Sequence, residues 1–124
     1  MIQFSNKYDL EERTAKFAEN VIELVRSIKQ DHVNSRIISQ LVGSSGSIGA
    51  NYCEATEAES KKDFSHKISI AKKEIKETKH WLRLLAKSNP EVKEELKVLW
   101  QEAQELLLIF SKIINSCRSK KIEN

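Results

Sequence analysis

One pair of side chains has the spacing of a metal-binding motif. Glu77 and His80 form a Glu-x-x-His unit, which di-iron helical bundles use twice, together with one further glutamate from each of two other helices. This chain contains a single copy, and the apolar spacing around it turns both residues away from a helical core. His66 has the same outward position, and His32 lies in a predicted connection. We therefore expect surface histidines, no bound metal ion and no other cofactor.

A second candidate for chemistry is the glycine-rich stretch 43–49, in which glycine recurs at every third position. It does not have the sequence of a phosphate-binding loop, because no strand pattern precedes it and no Gly-Lys-Ser/Thr follows. It also lacks the Gly-x-Ser-x-Gly pattern of a nucleophile elbow. Since the surrounding pattern is helical, the glycines form one flank of a helix. We expect this flank to let another backbone approach closely; a ligand-facing or flexible helix is the alternative.

The possible nucleophiles have no oriented base in the sequence. Tyr52 and Cys53 adjoin Glu54, but a nucleophilic site needs a base held in place by a third group. Neither Cys53 nor Cys117 has a partner at metal-ligand spacing, and two cysteines are fewer than a small secreted scaffold uses. The first ten residues do not form a secretion signal, and no apolar run approaches a membrane span. We therefore expect a cytoplasmic, non-enzymatic protein with two reduced thiols and no membrane contact.

The elements that position these residues are helices. The chain has 124 residues but only three glycines and one proline, which argues against folds that turn every ten residues or so. Asp9 and Ser60 each have an acidic residue three positions later, the spacing of a helix-capping box. Asn89 is a capping residue followed by a proline suited to the first position of a helix. A further break lies near residues 31–35, so the chain divides into four segments.

Apolar residues recur at alternating steps of three and four in all four segments, as in helices that face a common core. The spacing predicts one domain with helices at about 9–30, 35–59, 61–88 and 90–118, followed by a polar tail at 119–124. Short connections make neighbouring helices antiparallel, so the predicted fold class is an all-α, up-down-up-down four-helix bundle. The predicted core positions of the last helix are Val92, Leu96, Leu99, Ala103, Leu106, Phe110, Ile113 and Cys117.

The third and fourth helices have more apolar residues than a narrow core stripe needs. A wide core face could absorb the additional side chains. Alternatively, a homo-oligomer buries them between copies, because a large exposed apolar patch normally marks an interaction surface. We predict the homo-oligomer. The predicted interface residues are Ile70, Trp81, Leu84, Trp100, Leu107 and Ile114.

Positive charge is concentrated in the third helix. The whole chain has a net charge of +3, whereas residues 61–88 contain nine basic and three acidic side chains. The basic residues form a stripe on the helix opposite the flank of Ile70, Trp81 and Leu84. This stripe is either a solvated face, partly neutralised by Glu74 and Glu77, or a track that attracts nucleic acid of any sequence. The predicted nucleic-acid-binding residues are Lys61, Lys62, Lys72, Lys73, Lys76, Lys79 and Arg83.

The central stretch of the chain resembles a known family. Residues 47–55, Ser-Ile-Gly-Ala-Asn-Tyr-Cys-Glu-Ala, and residues 57–64, Glu-Ala-Glu-Ser-Lys-Lys-Asp-Phe, closely resemble the bacterial four-helix-bundle family first noted as open reading frames in intervening sequences of 23S ribosomal RNA genes. Residues 8–14 resemble its opening helix, and residues 73–78 and 80–82 its third. The resemblance covers about residues 7–117 and is most specific in the central stretch.

The resemblance implies a small antiparallel bundle that assembles as a ring-like homopentamer. The family includes the accessory variability determinant of diversity-generating retroelements, so the resemblance also implies RNA or DNA, and a reverse transcriptase, as partners. It implies no catalytic residues. Together with the basic stripe, it leads us to predict a non-enzymatic homo-oligomeric bundle that binds RNA or DNA electrostatically. The alternative is a protein-interaction scaffold that does not bind nucleic acid.

Overall fold

A computed structural model of the protein describes the backbone of residues 9–123 and the side chains of residues 9–118. These residues form four long helices and no strand, which confirms the predicted all-α class. A single 3-10 turn, Pro90–Val92, precedes the last helix. The helices are α1, Leu10–Val25; α2, His32–Thr56; α3, Lys61–Ser88; and α4, Lys93–Glu123.

Side-chain caps start the first three helices. The carboxylate of Asp9 accepts a hydrogen bond from the backbone N–H of Glu12, as the capping-box spacing predicts. Ser60 accepts in the same way at the start of α3, which begins and ends at the predicted residues. Asp31 caps α2 by accepting from the N–H of Asn34 at 2.8 Å, so α2 begins three residues before its predicted start.

The ends of α1 and α4 differ from the prediction. α1 ends at Val25 rather than near residue 30, because Ser27 and Ile28 donate their N–H groups to carbonyls three residues back and so form a tighter turn. At the other end of the chain, residues 119–123 continue α4 as helix, whereas the sequence predicted a polar tail there.

The four helices form a bundle in which each helix packs against two others. α1 lies between α2 and α4, and α3 also contacts both of them, so α1 and α3 form one diagonal of the bundle and α2 and α4 the other. The beginning of α2 lies beside the end of α3, where Asn34 meets Asn89, and the end of α2 lies near the beginning of α3, where Glu54 meets Lys67. The predicted up-down-up-down four-helix bundle is therefore confirmed.

The core follows the predicted apolar spacing closely in α3 but shifts near the end of α4. Ile114 is 4 % exposed and belongs to the core, whereas the predicted core residue Ile113 is only half-buried against it. An α-helix has 3.6 residues per turn, so its buried face moves away from a strict seven-residue repeat by about 20° per heptad. The prediction that Ile114 lies in an interface between copies is thus wrong.

A buried ion pair joins α1 to α4. Arg13 donates from Nε and Nη2 to the two carboxylate oxygens of Glu102, both at 2.7 Å, and from Nη2 to Glu105 at 2.8 Å. The side chains of Arg13 and Glu102 are 7 % and 5 % exposed. The hydrogen bonds that Arg13 donates to Glu102 raise the pKa of Arg13, so the guanidinium remains charged despite its burial.

A second buried polar contact lies at the end of the bundle where α2 starts and α3 ends. Each of the amides of Asn34 and Asn89 donates to the oxygen of the other, at 2.9 and 2.8 Å. Asn89 stands at the cap position before Pro90, but its side chain makes no capping hydrogen bond because it is used in this pair. The predicted cap position of Asn89 before Pro90 is therefore confirmed, although its side chain bonds Asn34 instead of the helix start.

The glycine flank of α2 has two different environments. A Cβ added at Gly49 would lie 3.0 Å from Oγ1 of Thr14, so glycine at this position lets α1 and α2 approach closely. A Cβ at Gly43 or Gly46 would meet nothing within 4 Å. Close packing within the chain thus explains Gly49, whereas no neighbour among the described residues explains Gly43 or Gly46.

Candidate nucleic-acid interface

Four basic residues lie along one line of α3. Lys72, Lys76, Lys79 and Arg83 follow one another at steps of four, three and four, so their side chains occupy one face of the helix. Lys76 and Arg83 are exposed, and the other two are half-buried. Extended in both directions, the line runs from Lys61 to Lys87 and contains no carboxylate.

A matching line on α4 lies beside it. Lys93, Lys97, Trp100 and Gln104 follow the same spacing, and the two lysines are exposed. Lys79 joins the two lines, since its ammonium lies 4.4 Å from the centroid of the Trp100 ring and donates a hydrogen bond to Oε1 of Gln104. α3 and α4 therefore present their cations to the same side of the bundle.

The two lines together form what we call the basic surface. On α3 its cations span about 17 Å, at 1.5 Å per residue over eleven residues. Trp100, which is 37 % exposed, lies among them. The basic surface consists of Lys72, Lys76, Lys79, Arg83, Lys93 and Lys97 around Trp100.

The acidic residues of α3 lie on a different side of the helix. Ile70, Glu74, Glu77 and Trp81 form their own line at steps of four, three and four. Trp81 borders a groove with residues of α2. Burial raises the pKa of Glu74, and the neighbouring charge of Glu77 raises it further. Because these carboxylates lie on the flank towards α2, they are poorly placed to neutralise the cations beside α4.

The other predicted nucleic-acid-binding residues are exposed but lie outside the basic surface. Lys61 lies on the line of Lys72 at the start of α3, several turns from Trp100. Lys62 and Lys73 are turned further round α3, away from α4. Four of the seven predicted residues therefore belong to the basic surface. The basic surface also contains two lysines of α4 that were not among the predicted nucleic-acid-binding residues.

The two predicted apolar flanks lie on different faces of the bundle. Trp81 lies on the α2 side of α3, where it packs partly against the core, and Leu84 is 36 % exposed one turn further on. Trp100 belongs to α4 and lies at the opposite flank of α3, beside Lys79. Leu107 is half-buried and also packs against the core. The contact between Lys79 and Trp100 could have been found from the seven-residue repeat. Both residues occupy the same position beside the core in that repeat, and such positions face each other when two neighbouring helices are antiparallel.

The groups considered for metal or nucleophilic chemistry have other surroundings. Glu77 and His80 are both exposed, and the His80 ring packs edge-on against Trp81 at 4.9 Å. Among the described residues, no group of three or more His, Cys, Asp or Glu side chains is arranged to hold a metal ion. Glu54, beside Tyr52 and Cys53, pairs with Lys67 at 3.6 Å.

The remaining observations concern the tyrosine, the thiols and the helices. The Tyr52 ring lies 5.9 Å from that of Phe110, and burial raises the pKa of its hydroxyl. Cys53 and Cys117 are both free thiols. In the described part of the chain, no helix combines the length and the apolar character needed to cross a membrane.

Comparison with known families identifies the chain. The model of the family described as 23S rRNA-intervening sequence protein matches residues 6–115. The chain belongs to this family. The match confirms the resemblance seen in residues 47–64, and it includes every residue of the basic surface.

A solved structure has the same fold. It is the 1.70 Å crystal structure of a protein of unknown function from the S23 ribosomal protein family of Bacteroides thetaiotaomicron VPI-5482. Its similarity to this chain has a TM-score of 0.75 at 29 % sequence identity, over 85 % of this chain and 97 % of that one. No curated protein is significantly similar to this chain.

Proposed function

We propose that this protein is a non-enzymatic, homo-oligomeric helical bundle that binds RNA or DNA electrostatically through its basic surface. The observation that supports the proposal is the segregation of charge around α3. Six cations of α3 and α4 lie together, whereas Glu74 and Glu77 lie on the flank towards α2. Clustered cations attract the phosphate backbone whatever its sequence, and this attraction supplies most of non-specific nucleic-acid binding.

The dimensions of the basic surface suit a phosphate backbone. Phosphates of one B-DNA strand are spaced about 3.4 Å apart along the helix axis, so the 17 Å of cations on α3 is the length of about five phosphates. Lysine is a flexible point charge, and five of the six cations are lysines. Such a surface follows a backbone without reading base edges, so we expect little sequence preference.

Charge reversal on the basic surface tests the proposal. Fluorescence anisotropy with labelled RNA and DNA oligonucleotides, at low ionic strength, should show binding by the wild type. The double variant Lys76→Glu, Arg83→Glu should bind every sequence more weakly, by at least tenfold. The matched control is Arg26→Glu, Lys29→Glu, which makes the same change in net charge at exposed residues after α1 and should bind nearly as well as the wild type. Equal loss in both variants would mean that net charge, not the basic surface, governs binding.

The proposed homo-oligomer uses the flank of α3 that faces α2. Val33 is 58 % exposed beside Trp81, and Leu84 is 36 % exposed one turn away. A second copy of the chain would bury these apolar side chains. A ring of five, which the family resemblance implies, requires a heterologous contact, in which this flank meets a different surface of the next copy.

Light scattering after gel filtration tests the assembly. The wild type should have several times the mass of the 14.3 kDa chain. Leu84→Glu places a charge in the proposed contact and should reduce the mass towards that of the single chain. The control Ile22→Glu alters an α1 residue that is 41 % exposed and should leave the mass unchanged.

A protein-interaction scaffold is the second candidate function, and the groove beside Trp81 favours it. The groove is lined by Val33, Arg36 and Ile37 of α2, so it offers apolar area and a cation to a partner protein. The family resemblance adds a reverse transcriptase as the proposed protein partner. Stable oligomers that bind a purified reverse transcriptase but retain neither RNA nor DNA would favour this candidate over nucleic-acid binding.

A further inference from the structure

Trp100 is an aromatic residue in the middle of the basic surface. Its side chain is 37 % exposed, and the Lys79 ammonium lies over its ring at 4.4 Å. We propose that the basic surface is a site for single-stranded nucleic acid, with Trp100 stacking against an unpaired base while the surrounding cations hold the adjacent phosphates. This inference rests on the proposed function and narrows it to one class of nucleic acid.

The contact between Lys79 and Trp100 shows that a face of the indole ring is open to a group from outside α4. Lys79 is half-buried, and attraction between such an ammonium and an indole face is comparable in strength with the stacking of a nucleobase on an aromatic side chain. A base can therefore replace the ammonium over the ring. The long side chain of Lys79 can then turn to a phosphate, so the displaced charge continues to contribute to binding.

The cations around Trp100 provide the phosphate contacts that such a strand needs. Arg83 lies one turn beyond Lys79 on α3, and Lys97 lies one turn before Trp100 on α4. Cations thus flank the ring on both helices. Binding proteins for single strands combine these two features, a cationic track for the backbone and aromatic side chains for the bases.

A duplex cannot use the ring in the same way. Its base faces are stacked on one another, so a duplex would meet only the cations of the basic surface. Stacking depends on the π face that every base has, so it tolerates any sequence. The arrangement therefore predicts a preference for single strands over duplexes and weak discrimination between bases.

Fluorescence of Trp100 gives a direct test. Trp81→Phe leaves Trp100 as the single tryptophan of the chain, and this variant should bind as the wild type does. Titration with oligothymidine and with oligouridine at low ionic strength should quench Trp100, whereas a duplex of equal length should bind with little quenching. Trp100→Leu should weaken binding of both single strands by about tenfold and leave duplex binding unchanged. Trp100→Phe, which keeps an aromatic face, should restore most of the lost affinity.

The possible failures are distinguishable. Unchanged Trp100 fluorescence, together with equal binding of single strands by Trp100→Leu and by the wild type, would overturn the stacking inference. Salt-dependent binding in the same experiment would leave the proposed function standing. No binding of single strand or duplex by the wild type would overturn both. A smaller assembly mass for Trp100→Leu would assign Trp100 to a contact between copies and would also overturn the inference.

Discussion

Replacement of Arg13 by methionine should destabilise the bundle strongly. Methionine retains the apolar packing of the side chain but removes the guanidinium that donates two 2.7 Å hydrogen bonds to Glu102. The Glu102 side chain is 5 % exposed, so its carboxylate would remain buried without that partner. Breaking a buried ion pair by removing one member costs about 3–5 kcal/mol, which is a large part of the stability of a typical domain. Glu105 should contribute little, because it is 66 % exposed.

Urea unfolding followed by circular dichroism measures this cost. The double variant Arg13→Met, Glu102→Leu should recover most of the loss, because it removes the unpaired charge together with the pair. Lys16→Met is the matched control on α1, since it removes an exposed ion pair with Glu19 and should change the free energy of unfolding by at most about 1 kcal/mol. A loss below about 1 kcal/mol for Arg13→Met, or no recovery in the double variant, would refute the reasoning.

Four further substitutions have definite expected outcomes in thermal or urea unfolding. Gly46→Ala should stabilise the protein by about 1 kcal/mol through helix propensity, whereas Gly49→Ala should destabilise it, because its methyl would lie 3.0 Å from a side-chain oxygen of α1. Glu74→Gln should raise the free energy of unfolding at neutral pH, because the raised pKa of Glu74 means that its ionised form opposes folding. The gain should vanish as the pH falls below the ordinary pKa of 4.5, where the carboxyl is protonated in both the folded and the unfolded chain. Asn89→Leu should lower the free energy of unfolding by about 1–3 kcal/mol, because the buried Asn34 amide would lose its two hydrogen bonds with Asn89.

The bundle could be predicted from the sequence because its determinants are local. Helix caps at Asp9 and Ser60 depend on residues three positions apart, and the core spacing of α3 repeats along a single helix. The buried pairs Arg13–Glu102 and Asn34–Asn89 could not be predicted, because their members are 89 and 55 positions apart and only packing brings them together.

The candidate site was predicted in part. The cations of α3 follow from helical spacing, but their relation to Trp100 depends on which flank of α4 faces α3. The contact between Trp100 and Lys79 was therefore not foreseen, and the place of Trp100 in an interface between copies stays a prediction. Ile114 shows the same limit, since the gradual rotation of the buried face along α4 moves it from the predicted flank into the core.

The salt dependence of single-strand binding tests the central claim most directly. If the six cations of the basic surface each displace a counterion, the logarithm of the association constant should fall against the logarithm of salt concentration with a slope of about −4. Lys76→Glu, Arg83→Glu should make that slope shallower by about 1.4, since two phosphate contacts are lost. An affinity that does not change between low and high salt, or the same slope in wild type and variant, would contradict nucleic-acid binding by the basic surface.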